Sequence, residues 1–121
     1  MVEIRVKVLT QEVEEIAGEM GLTAIPEYRT PDGTRIDLAI LDDERKLLAI
    51  EFENSYKWIR QRIIYNVVKA SRAGFSRLWV VYPFQVPSLG WINEYAMELG
   101  VELRILGPEE FREKIRSIRA Q

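Results

Sequence analysis

Apolar and polar residues alternate over the first eight positions, with Val2, Ile4, Val6 and Val8 on one side, which predicts a half-buried strand at an exposed edge. The period then changes. Thr10 fits the N-cap of a short helix whose inner stripe is Val13, Ile16, Ala17 and Met20, with Gly21 as its stop. Residues 23–29 read as a short strand and Pro31-Asp32-Gly33 as a turn. Two apolar runs follow, 36–41 and 47–53, separated by Asp42-Asp43-Glu44-Arg45-Lys46, which is the pattern of a β-hairpin. Residues 56–73 return to a helical period, with Ile59, Ile63, Val67 and Ala70 on one stripe and Gly74 as terminator. A strand at 78–82, a helix at 87–99 closed by Gly100, a strand at 101–106 and a helix at 108–119 opened by a proline complete the chain. The predicted order is β, α, β, β, β, α, β, α, β, α. Hairpins early and crossovers late define an α/β protein with a mixed sheet flanked by helices.

Parity fixes the register of the hairpin. Setting Ile36, Leu38 and Ile40 on the same buried face as Leu48, Ile50 and Phe52 requires paired positions to sum to an even number, and a connection centred on Glu44 makes that sum 88. Asp37 then faces Glu51 and Arg35 faces Glu53, with Glu53 a diagonal neighbour of Asp37, all within roughly 5 to 8 Å. Three carboxylates at one spot on an apolar hairpin cannot all stay ionised unless a cation compensates them, and a divalent metal with oxygen ligands does so.

Composition narrows the chemistry. At 121 residues and 47% hydrophobic content the chain suits one domain with a sizeable core. Cysteine and histidine are absent, which removes disulfides, the usual zinc sites, thiol nucleophiles and imidazole bases. No apolar run is long enough to span a bilayer, and the first residues do not form a signal peptide, so a soluble, cytoplasmic protein is expected. The net charge of -2 hides a strong asymmetry. Residues 1–53 hold thirteen acids and six bases, whereas residues 54–93 hold six bases (Lys57, Arg60, Arg62, Lys69, Arg72, Arg77) and no acid. Such a basic block directly after an acidic cluster suits a metal site acting on a polyanion; a solvated helix face is the simpler alternative.

An acidic helix, a three-strand meander with Asp on the second strand and Glu-x-(Lys or Glu) on the third, then a basic helix and another strand resemble the PD-(D/E)XK nuclease superfamily, the restriction-endonuclease-like fold. The residues that carry the resemblance are Pro31-Asp32-Gly33-Thr34-Arg35-Ile36-Asp37, then Glu51-Phe52-Glu53, within a span of roughly 10 to 82. Gln61 and Tyr65 on the next helix are similar to the Gln-x-x-x-Tyr motif of the RecB-like branch. The Holliday-junction-resolvase-like branch is the other that the pattern resembles.

The resemblance implies metal-dependent hydrolysis of DNA phosphodiester bonds, with Mg2+ or Mn2+ held by Asp37, Glu51 and the backbone carbonyl of Phe52. The chain departs from the family at position 53, where glutamate replaces the motif lysine. Glu53 is then an additional metal ligand or a base for water, and Lys57 is the candidate for the missing positive charge. Lys57, Arg60, Gln61 and Tyr65 are the expected nucleic-acid contacts. A further glutamate on the first helix, Glu12 or Glu14 with preference for Glu12, is expected to join the site. Trp58, Trp79, Tyr82, Phe84 and Trp91 are either core residues or stacking partners for bases. A domain of this size implies a homodimer or a larger protein partner to select the substrate, with the edge at 2–8 available for pairing. The alternative is a catalytically inactive nucleic-acid-binding or assembly module of the same fold.

Overall fold

Alternating aliphatic residues on two neighbouring strands bury one face only if those strands pair in a single register, and the hairpin obeys that requirement. The computed structural model describes residues 4–120. β1 (Thr23–Arg29), β2 (Arg35–Asp42) and β3 (Arg45–Phe52) form an antiparallel meander. β4 (Arg77–Val81) and β5 (Glu102–Leu106) add in parallel to give one five-stranded mixed sheet of order β1-β2-β3-β4-β5. Leu38 pairs with Ile50, Ala39 with Ala49 and Ile40 with Leu48, each pair summing to 88 as parity requires. The turn is tighter than the polar stretch suggested. Only Asp43 and Glu44 lie outside the strands, Asp43 takes a left-handed φ of 55°, and the register slips by one between Ile40 and Leu41. A two-residue turn and a bulge together restore the aliphatic register.

The sheet separates two cores. Leu38, Ile40, Leu48, Ile50, Phe52, Trp79 and Val81 face α1 (Val6–Glu19), α4 (Pro108–Ile115) and a terminal 3-10 turn at Ile118–Ala120. Ala39, Ala49, Leu78, Val80 and Tyr82 face α2 (Ile59–Arg72) and α3 (Trp91–Glu98). Phe111 is fully buried and meets both Phe52 and Trp79 edge-on at 6.2 Å, which locks α4 onto the sheet. Ile50 is fully buried at the centre, so Ile50→Val is expected to cost about 1 kcal/mol in urea denaturation, read as a lower midpoint with unchanged slope.

Three expectations from the pattern are corrected. The strand placed over residues 2–8 is not one where the chain is described: residues 1–3 lie outside the described residues, and α1 already begins at Val6. Valine costs a helix only a few tenths of a kcal/mol, whereas the stripe Leu9, Val13, Ile16 and Ala17 buries against the sheet, so tertiary contact outweighs local alternation. Thr10 is accordingly inside the helix and does not cap it. The edge strands are β1 and β5.

Second, Ile36 packs with the α2 layer while Leu38 packs with the α1 layer, so alternation breaks at Asp37. Its neighbour across β1, Glu27, has a positive φ of 50°. Third, the helices are shorter than their patterns. α2 starts at Ile59 because Trp58 adopts φ 57°, and α3 starts at Trp91 after Gly90, whose φ of 53° combined with ψ of -124° suits only glycine. The last helix stops at Ile115.

Candidate functional site

The break in β2 turns the Asp37 carboxylate out of the pleat and toward the backbone of β3. The Phe52 N–H donates to Asp37 Oδ2 at 2.8 Å, and the Asp37 N–H donates to Glu51 Oε1 at 3.3 Å. The two acids are therefore interlocked, each bonded to backbone of the other strand's motif. Asp37 also borders a groove of about 700 Å³ beneath α1, lined further by Phe52, Glu14, Gln11 and Lys7.

Glu51 points the other way, into the α2 layer, and is only 3% exposed. There Lys69 Nζ stands 2.8 Å from Glu51 Oε2, and Lys69 is itself buried. Burial, and next the charge of Asp37, push the Glu51 carboxyl up to about 8, with Lys69 pulling in the opposite direction. The Tyr65 ring covers the same ammonium, its centroid 5.1 Å from Nζ. Further toward the start of α2, Arg62 Nη1 lies 3.2 Å from Glu53 Oε1, and Asn66 Nδ2 donates to Glu53 Oε2 at 3.0 Å. Arg62, Asn66 and Lys69 thus form one polar row on α2 that answers the two glutamates of β3.

The three expected carboxylates do not gather around one point. Among the described residues no group of three acids is placed to hold a metal ion. Glu53 is engaged by Arg62 and Asn66, while Asp37 and Glu51 remain adjacent. Their oxygens are hard donors of the kind that a divalent ion of the magnesium type takes, with Lys69 already set against Glu51.

Other candidates lie elsewhere. Glu12 pairs with Arg112 of α4 at 3.0 Å, so of the two first-helix acids it is Glu14 that reaches the groove with Asp37. Lys57 falls before α2 and is exposed, its N–H bonded to Ser55 Oγ at 3.1 Å. Gln61 is exposed and borders two shallow grooves, and Arg60 Nε donates to the Ser88 carbonyl at 2.9 Å. Asp32 serves its turn: hydrogen bonds from Thr30 and Thr34 hold its carboxyl down at about 2.

The sequence reading missed Lys69. Its signal is the sequence step by which Arg62, Asn66 and Lys69 each immediately precede a core residue, Ile63, Val67 and Ala70. That offset places a polar row beside the buried stripe, against the strand that carries Glu51 and Glu53.

No family model and no curated protein matches the sequence. No described helix is long and apolar enough to cross a membrane.

Proposed function

We propose that this chain is a metal-dependent DNA nuclease built on the restriction-endonuclease-like plan, with Asp37 and Glu51 as its acidic centre and Lys69 as its lysine. One observation carries the reading: a buried ammonium 2.8 Å from Glu51, which is interlocked with Asp37, supports a lysine supplied from α2 in place of the one missing at position 53. Asp37, Glu51 and the carbonyl of Phe52 would hold Mg2+ or Mn2+. When bound, such an ion polarises a phosphate and lowers the pKa of a bound water.

The chain's own residues do the rest. Lys69 opposes the burial and the Asp37 charge that favour protonation of Glu51, and so eases release of the proton that an arriving cation must displace. Glu53 is a brace in this scheme, since Arg62 and Asn66 fix it and through it fix the end of β3. Lys57 and Arg60 extend positive charge along the approach for a phosphate backbone.

The Glu51–Lys69 ion pair also suits the second reading, a non-catalytic nucleic-acid-binding module, because it neutralises the acid internally. Incubation with duplex, single-stranded and branched DNA in Mg2+ or Mn2+ separates the two. The nuclease reading expects metal-stimulated cleavage that Asp37→Ala reduces about 10³-fold or more. Binding without cleavage by the wild-type protein would establish the module instead.

A further inference from the structure

Large aromatic side chains are costly to leave in water, and a cluster of them on one surface marks a place where something apolar and flat is received. Trp58 is 70% exposed, Tyr56 66% and Trp91 61%, whereas Trp79 and Tyr82 are core. The exposed set surrounds the start of α2. Tyr56, Trp58 and Pro87 border one groove of about 300 Å³, and Trp91 and Leu89 border a second of about 510 Å³. Arg60 and Gln61 line both and form the ridge between them. The hydrogen bond from Arg60 Nε to the Ser88 carbonyl holds that guanidinium over the ridge, and the exposed Lys57 precedes it.

Charge selects the occupant. No acid lines either groove, Arg60 lines both and the exposed Lys57 lies beside them in sequence, so the aromatic faces stand in a positive setting. Unpaired nucleobases linked by phosphates match both properties, since any base has a π-face to stack and each linkage brings a negative charge. A duplex keeps its bases stacked inside and offers only phosphates. We propose that this surface is a stacking platform for single-stranded nucleic acid. Cleavage of the bound strand rests on the nuclease reading, and the platform narrows the substrate of that site to DNA with an unpaired segment.

Trp58 carries a second mark. Its left-handed φ of 57° is uncommon for a bulky residue and costs free energy that glycine would not incur, yet the side chain it holds out is mostly in water. Backbone strain that displays an exposed indole is explained if the indole has a ligand.

The test is fluorescence titration in EDTA, so that no cleavage occurs, with an oligodeoxythymidylate longer than a footprint of roughly 4 to 16 nucleotides and with a duplex of equal length. The exposed tryptophans report the binding. Trp58→Ala and Trp91→Ala are each expected to weaken single-strand affinity about tenfold and to leave duplex affinity unchanged. Trp58→Ala should preserve the slope of log affinity against log salt, whereas Arg60→Ala should reduce it by about 0.7. Trp58→Gly should raise the melting temperature while lowering single-strand affinity, which separates loss of the ring from loss of the fold. Wild-type affinity for single strands in Trp58→Ala and Trp91→Ala, or an equal loss on the duplex, would overturn the platform. So would the absence of any oligonucleotide binding, including the case in which Trp58→Ala abolishes self-association and the rings prove to be a contact between copies. Because binding is read without metal, single-strand affinity in a protein that never cleaves keeps the platform and sinks the nuclease; cleavage with indifferent tryptophans does the reverse.

Discussion

Lys69→Met is expected to lower metal-stimulated DNA cleavage by roughly two to three orders of magnitude, the scale of removing one preorganised charge from an active site. The physical chain is short. Glu51 lies buried beside Asp37, and both circumstances favour its protonated form, while the Lys69 ammonium at 2.8 Å opposes them. Removing that ammonium carries the Glu51 carboxyl further up from about 8, so at neutral pH a cation must displace a proton that is held more tightly. Calorimetric titration with Mn2+ at pH 7 should accordingly find much weaker binding in the variant. Raising the pH should recover part of the lost affinity, because deprotonation then becomes less costly. Lys69→Arg, which keeps the charge, should retain more activity than the methionine variant. A methionine variant that cleaves at the wild-type rate would remove Lys69 from the site and with it the strongest support for the nuclease reading.

The hairpin was legible in the sequence because its constraint is a parity: Leu38, Ile40, Leu48 and Ile50 can share one buried face in one register only. The adjacency of Asp37 and Glu51 comes from that register. Asp37's departure from the pleat does not, since it depends on an irregularity opposite Glu27 in another strand. Val6 and Val8 were misleading for a related reason. Alternation over a few residues measures local pattern, whereas the burial of Leu9, Val13, Ile16 and Ala17 is decided by the sheet they reach. Lys69 was hidden because the motif looks for a lysine two residues beyond Glu51 along the strand. The lysine that meets Glu51 lies instead eighteen residues later, on α2. Glu53 shows the converse. It has the right place in the motif, yet Arg62 and Asn66 take both of its oxygens.

Glu51→Gln is expected to abolish cleavage and, independently of any enzymatic activity, to flatten the pH dependence of stability. Glu51 titrates near 8 in the folded protein against an ordinary value of 4.5. Between those values the folded state binds a proton that the unfolded chain has released. Stability therefore has its full contribution below about pH 4.5 and loses about 1.4 kcal/mol per pH unit as the pH rises toward 8, levelling off above it. Over that window the urea midpoint of the wild-type protein should fall as the pH rises. Glutamine cannot titrate, so urea midpoints of the variant should stay level across the same window in EDTA, apart from what other groups contribute. Lys69 then lacks its partner and burial works against its charge, so Glu51→Gln with Lys69→Met should be more stable than Glu51→Gln alone. A wild-type protein with no slope between about pH 5 and pH 8 would mean that the ion pair fully compensates burial and that Glu51 is ionised throughout. In that case Glu51 would take a cation without releasing a proton, and the pH dependence of Mn2+ affinity expected for Lys69→Met would be absent.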